Sequence, residues 1–261
     1  MLVRPAAIAG LFYPANPDAL LALVADLVGH DRPVRPTEAP KALIVPHAGL
    51  AYSGETAAYA YRQLAEFTDY YQRIYLLGPN HRVPLSTVAG SSAEAFRTPL
   101  GDYPLDTEQI ERWLDDGWIV INDEAHRQEH CLEVQIPFLQ LLGMEAPLVP
   151  LIVGQANAGK VARLAGHALD EERSLLLIST DLSHFHPYQE AQALDQITSD
   201  KILRCGADLT PEQACGCHAL NGALMACAMR QLKVTLLDKR NSGDTAGDKD
   251  RVVGYGAYVI N

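Results

Sequence analysis

Short apolar runs rich in Ile, Val and Leu recur along the chain and alternate with stretches of helical period. The runs "KALIVP", "RIYLLG", "WIVIN", "PLVPLIVG", "SLLLIS", "KVTLLD" and "VVGYGAYVI" predict strands. Between them, "NPDALLALVADLVGH" predicts a helix, with Asn16 as cap and Pro17 in the first turn, and "DTEQIERWLDD" opens in the same way at Asp106. "CLEVQIPFLQLL", "KVARLAGHALDEE", "YQEAQALDQITSDKIL" and "GALMACAMRQL" complete the helical set. Apolar strands alternating with amphipathic helices predict an α/β fold: one αβα sandwich over residues 1–261, with a mostly parallel or mixed central sheet flanked by helices. No repeat, low-complexity tract or linker divides the chain. "GHDRPVRPTEAPK" reads as a surface connection, and "NSGDTAGDKDR" carries too much Gly and Asp for a regular element.

Composition narrows the function classes. Hydrophobic residues make up 48% of the chain and charged ones 20%, ordinary globular values that exclude wholesale disorder. A formal net charge of -11, with no clustered Lys or Arg, repels a phosphate backbone, so nucleic acid is not an expected partner. No apolar window reaches the roughly 18 residues of a membrane helix, so no membrane partner is expected, and "MLVRPAAIAGLFYP" lacks the features of a signal peptide. A cytoplasmic location follows as the expectation. The cysteines, 131, 205, 215, 217 and 227, are odd in number and form no C-x-x-C pair, which predicts reduced thiols rather than a disulfide framework.

Candidate chemistry gathers where strands end. "ALIVPH" finishes in His47, "IYLLGPNH" in His81 and "LLLISTDLSH" in His184. In parallel α/β sheets the loops beyond the strands' carboxyl ends converge on ligands. One histidine in such a loop is usually just bonded to backbone, but three together point to a metal or catalytic role. Asn80, Thr180, Asp181 and Ser183 share those loops and are placed to orient the imidazoles. Cys215 stands at the predicted start of a helix, a position that favours a ligand or nucleophile; Cys205 and Cys227 read as small buried hydrophobes. "HRQEHCLEVQ" spells H-x-x-E-H through His126, Glu129 and His130, the string of inverted zinc peptidases. If the segment before Glu129 is a loop, the two histidines share no helix face; Glu129, His130 and Glu133 then flank a pocket. "GQANAGKV" matches G-x-x-x-x-G-K but offers Val161 where a hydroxyl should hold magnesium, so no nucleotide is expected.

In order along the chain, "RPAAIAGLFYP", "VPHAGLAYSG", "LLGPNHRVPL", "TPLGDYPLD", "QEHCLEVQIPFLQ", "STDLSHF", "CGCHALNGAL" and "NSGDTAGDKDRVVGYGAYV" resemble the Memo family, also called AmmeMemoRadiSam system protein B. The resemblance implies a fold similar to class III extradiol dioxygenases. It also implies a metal held by His47, His81 and Cys215, with His184 as acid/base, acting with Asp181. Those dioxygenases use two histidines and a carboxylate, so a cysteine as third ligand is a departure. Its softer sulfur suits iron(II) or copper, with zinc also matching the donors. Glu129, His130, Glu133, Asn80 and Tyr52 are then expected around the metal or substrate. The resemblance further implies association with radical SAM and AMMECR1-like proteins in one pathway but names no substrate; an unknown small molecule or peptide is the expected partner. It equally permits a binding module without turnover, with Tyr52, Arg82 and Arg97 as its polar rim. A zinc hydrolase using His126 and His130 is the third alternative.

Overall fold

Strands buried on both faces need helices on both sides, and the four parallel strands at the centre of the sheet carry no exposed position. The computed structural model describes residues 2–29 and 36–261. Its strands are β1 (Val3–Arg4), β2 (Ala42–Val45), β3 (Arg73–Pro79), β4 (Val88–Gly90), β5 (Ala95–Thr98), β6 (Gly101–Pro104), β7 (Val120–Ile121), β8 (Leu148–Val153), β9 (Ser174–Ser179), β10 (His184–His186), β11 (Val234–Asn241) and β12 (Val252–Ile260). The helices are α1 (Pro17–Gly29), α2 (Leu50–Tyr61), α3 (Thr107–Asp115), α4 (Asp123–Arg127), α5 (Ile136–Leu141), α6 (Ala158–Asp170), α7 (Tyr188–Leu203) and α8 (Cys217–Met229). The central sheet is nine-stranded and mixed, in the order β10-β12-β2-β9-β3-β8-β4-β7 with β11 also on β12. Its middle, β2-β9-β3-β8, is parallel, while β12 runs antiparallel to β2 and β11. A smaller sheet joins β1, β5 and β6.

Helices α6 and α8 pack on each other and onto β3 and β9, whereas α1, α2 and α5 group together beside β2 and β12. The result is the expected mixed α/β architecture around one core cluster. Each strand predicted from an apolar run is present, although "WIVIN" shrinks to Val120–Ile121. "CLEVQIPFLQLL" gives a 3-10 turn, Glu133–Gln135, before α5, which starts with Pro137 in its first turn. Helix α2 and the short strands β4, β5, β6 and β10 carry no prediction from the hydrophobic pattern. His30 to Arg35, part of the predicted surface connection, lie outside the described residues.

Candidate metal centre

The parallel strands β2, β9, β3 and β8 all point the same way, so the loops leaving them meet at one edge of the sheet. Pro46 carries β2 into His47, Asn80 carries β3 into His81, and β9 runs into Thr180 and Asp181. Ring nitrogens of His47, His81 and His130 lie within 4.8 Å of one another. The His81 and His130 rings stack at 4.7 Å between centroids, and His47 stands edge-on to both at 5.3 Å. Cys215, 168 residues from His47 in sequence, places its sulfur 3.3 Å from His47 Nε2.

Hydrogen bonds decide which nitrogen each ring presents. The Ser179 hydroxyl spends its only proton on the Cys131 carbonyl, 2.7 Å away, while Gln135 Nε2 donates to Ser179 Oγ. Ser179 Oγ therefore accepts from His47 Nδ1 at 2.9 Å, and His47 Nε2 keeps a lone pair facing the thiol. Glu129 plays the same part for His81, since Oε1 accepts from His81 Nδ1 at 2.9 Å and Oε2 from the His81 backbone N–H at 2.7 Å. Glu129 Oε1 also takes the backbone N–H groups of His130 and Cys131. His130 Nδ1 sits 3.1 Å from that oxygen but is not aligned for a hydrogen bond. Burial alone would raise the Glu129 carboxyl; the adjoining His130 and His81 outweigh it and hold the group well below the usual carboxylate range. His47 is lowered well below an ordinary histidine by burial and by His130 and His81. Burial thus keeps the His47 imidazole neutral, as a ligand must be.

The thiol is fixed from behind. Cys215 Sγ accepts from the Asp181 backbone N–H at 3.3 Å, and the Cys215 N–H donates to the Asp181 carbonyl. The next residue must be glycine, because a Cβ at Gly216 would meet Thr180 Cβ at 2.8 Å. Burial and the neighbouring Asp181 push the Cys215 thiol up, so the sulfur takes a proton unless a cation replaces it. The donor set fits a cation: a tetrahedral metal with one nitrogen and one sulfur ligand separates them by about 3.5 Å, close to the His47–Cys215 contact.

Asp181 and His184 stand beside the cluster. Asp181 Oδ1 accepts from the His47 backbone N–H at 2.7 Å, Oδ2 lies 3.9 Å from His47 Nε2, and burial raises its carboxyl. His184 Nδ1 donates to the Leu182 carbonyl at 2.9 Å, leaving Nε2 free for proton exchange. Asn80 folds onto its own loop through Val83 and lines a cavity that reaches Cys215. Tyr52, 42% exposed, lies on the first turn of α2.

Other candidates belong elsewhere. Glu133, expected beside the metal or substrate, is corrected: it is fully buried, and its carboxylate is taken by Arg4, the backbone N–H groups of Ala7 and Ile8, and the Tyr13 hydroxyl. It ties the N-terminal segment to the core. His126 does not join His130, because α4 ends at Arg127 and the His126 ring bonds the Ala89 carbonyl, which removes the basis of the zinc hydrolase alternative. Lys160 of the G-x-x-x-x-G-K match donates to Thr87 and Asn157 caps α6, an ordinary strand-to-helix turn. Arg97 is exposed and paired with Asp102, and Arg82 bonds the Gln128 carbonyl. The cysteines are free thiols. Among the described residues no helix is long and apolar enough to cross a membrane. His130, expected around the metal or substrate, stands among the ring nitrogens of His47 and His81 themselves. Its signal was adjacency to Glu129, the carboxylate that orients His81.

A mixed α/β sheet that gathers three imidazoles, one of them in contact with a thiol, defines a candidate metal-binding protein of the α/β class. A family profile described as Memo-like protein matches residues 4–259. The chain is 35% identical over 269 residues to a MEMO1 family protein of Aquifex aeolicus, covering 98% of each. It is 35% identical over 268 residues to MEMO1 family protein Ta0237 of Thermoplasma acidophilum, again with 98% coverage of both. The chain belongs to the Memo-like family. In shape it is similar to an uncharacterized protein of Escherichia coli K12, with a TM-score of 0.53, 14% identity, and coverage of 82% of this chain and 98% of that one.

Proposed function

We propose that the protein is a metal-dependent redox enzyme whose ion is held by His47, His81 and Cys215, with His130 beside them as a further donor. One observation carries this: the lone pair of His47 Nε2 faces the Cys215 sulfur at 3.3 Å, inside a cluster of imidazole nitrogens. Iron(II) or copper held by these mixed nitrogen and sulfur donors would supply one-electron redox chemistry. Zinc fits the same donors but not that chemistry.

The chain's own residues do the remaining work. Ser179 and Glu129 lock the ligand tautomers, an arrangement whose loss typically costs 10–100-fold in metal affinity or activity. Asp181 holds the His47 backbone and the thiol together, and His184 Nε2 serves the centre as general acid/base. A cytoplasmic setting and association with radical SAM and AMMECR1-like proteins belong to this proposal. The test is metal analysis and electron paramagnetic resonance on protein purified anaerobically without an affinity tag, alongside His47→Ala and Cys215→Ser. Iron or copper that disappears in both variants supports the reading; zinc alone, or metal unchanged by either substitution, overturns it.

A further inference from the structure

A cavity of about 460 Å³ opens beside the cluster, between the loop after β3, the end of β8 and the turn that leads into α8. Cys215 forms part of its wall, so the residue that touches His47 on one side faces this space on the other. Asn80, Cys217, Ser86, Gln155 and His218 complete its polar lining, and neither Asp, Glu, Lys nor Arg contributes to it. Ser86, Gln155 and His218 line the cavity without a side-chain hydrogen bond to another described residue, and Ser86 and Gln155 are exposed, so their polar groups are open to an incoming molecule.

The walls are preformed. Gln155 N–H donates to the Leu85 carbonyl and Gly154 N–H to the Thr87 carbonyl, both at 2.9 Å. A Cβ at Gly154 would lie 2.0 Å from the Leu85 oxygen, so only glycine lets these two segments close on each other. The size falls within the roughly 300–1,000 Å³ typical of ligand pockets. A charged molecule entering would lose hydration without meeting an oppositely charged side chain, and the Cys215 thiolate offsets one unit of the charge of a cation held there, whereas amide, hydroxyl and imidazole groups satisfy neutral donors and acceptors.

We propose that this cavity is the substrate compartment of the centre, and that it takes an uncharged molecule bearing hydrogen-bonding groups. The proposal rests on Cys215 belonging to the reactive centre. The experiment uses matched alkylating probes on the intact protein, with and without prior chelation: iodoacetamide (neutral), iodoacetate (anionic) and 2-bromoethylamine (cationic). Labelling at Cys215 and Cys217 is read by peptide mass spectrometry and normalised for each probe to Cys205, which lies outside the lining. That internal reference removes the general repulsion of anions by a chain of net charge -11.

The neutral probe is expected to exceed both charged ones by about ten-fold at the cavity cysteines, the consequence of an unpaired charge in this lining. Ser86→Trp and Gln155→Trp, checked for folding by circular dichroism, are each expected to slow cavity labelling to about a tenth by filling space while metal content stays unchanged. Equal labelling by charged probes overturns the substrate class. Folded Trp variants that label at the wild-type rate overturn the cavity as the route. A protein that binds no metal but shows the neutral preference and Trp block would sink the metal reading alone.

Discussion

The Ser179 hydroxyl decides which nitrogen of His47 faces the thiol. Replacing it by alanine leaves a buried N–H without an acceptor and frees the imidazole to turn its proton toward Cys215. Ser179→Ala is therefore expected to weaken metal binding about 10–100-fold while costing about 1–3 kcal/mol of stability. Competition titration with a chromophoric chelator measures the first and urea unfolding the second; unchanged affinity would show that Ser179 does not set the tautomer. His47 and His81 were legible in sequence because an apolar run that ends in a histidine marks the carboxyl end of a buried strand. Cys215 came from its place ahead of a helix and from the family pattern. His130 was legible only as a polar neighbour, since it follows a short helix rather than a strand and is delivered by the turn that Glu129 organises. Glu133 misled because spacing cannot show that Arg4, more than a hundred residues earlier, claims its carboxylate.

Helix α4 and the N-terminal segment lead to two further tests. Burial pushes His126 down to about 4 from an ordinary value of 6.5, against the smaller opposing pull of its bond to Ala89. Between those values the unfolded chain binds a proton that the folded chain refuses, so stability supplied by the neutral ring is complete above pH 6.5 and is lost as pH falls toward 4. The loss amounts to a few kcal/mol, on the order of 1.4 per pH unit. Urea midpoints of wild type and His126→Asn across that range should converge at the acid end; parallel curves would show that His126 is not the group responsible. The Arg4–Glu133 pair, at 2.5 Å and shielded from solvent, secures the segment whose Phe12 ring packs on His130 at 4.7 Å. Glu133→Gln strands the Arg4 charge, an expected cost of about 3–5 kcal/mol seen as a lowered urea midpoint, and an unchanged midpoint would refute it. At this scale the hydrophobic pattern recovered long amphipathic helices and buried strands. It missed α2 because that helix buries Ser53, Gly54, Thr56, Ala57, Ala58 and Ala60, short side chains that leave no apolar stripe. A Cβ at Gly54 would meet Leu27 Cδ1 at 2.8 Å, so close packing on α1 replaces bulk there.

At the level of the whole molecule the sheet joins distant parts of the chain through one site. Donors at His47, His81 and His130 and the thiol at Cys215 come from segments that only the complete sheet brings together, and the unfolded chain holds no such arrangement. An α/β sandwich was legible because strand and helix periods alternate over most of the sequence; the antiparallel pairing of β12 was not, since register depends on partners rather than on local pattern. Metal that binds only the folded state must then stabilise the entire core in one cooperative transition. A ligand at a thousand times its dissociation constant adds about 4 kcal/mol, which raises the melting temperature by on the order of 10 °C for a chain of this length. Calorimetry before and after chelation should show that shift in wild type, with one transition in each trace, and should show almost none in Cys215→Ser. If chelation leaves wild type melting where it did, or lowers only part of a divided transition, the convergence of these side chains carries no binding energy and the centre cannot hold its ion.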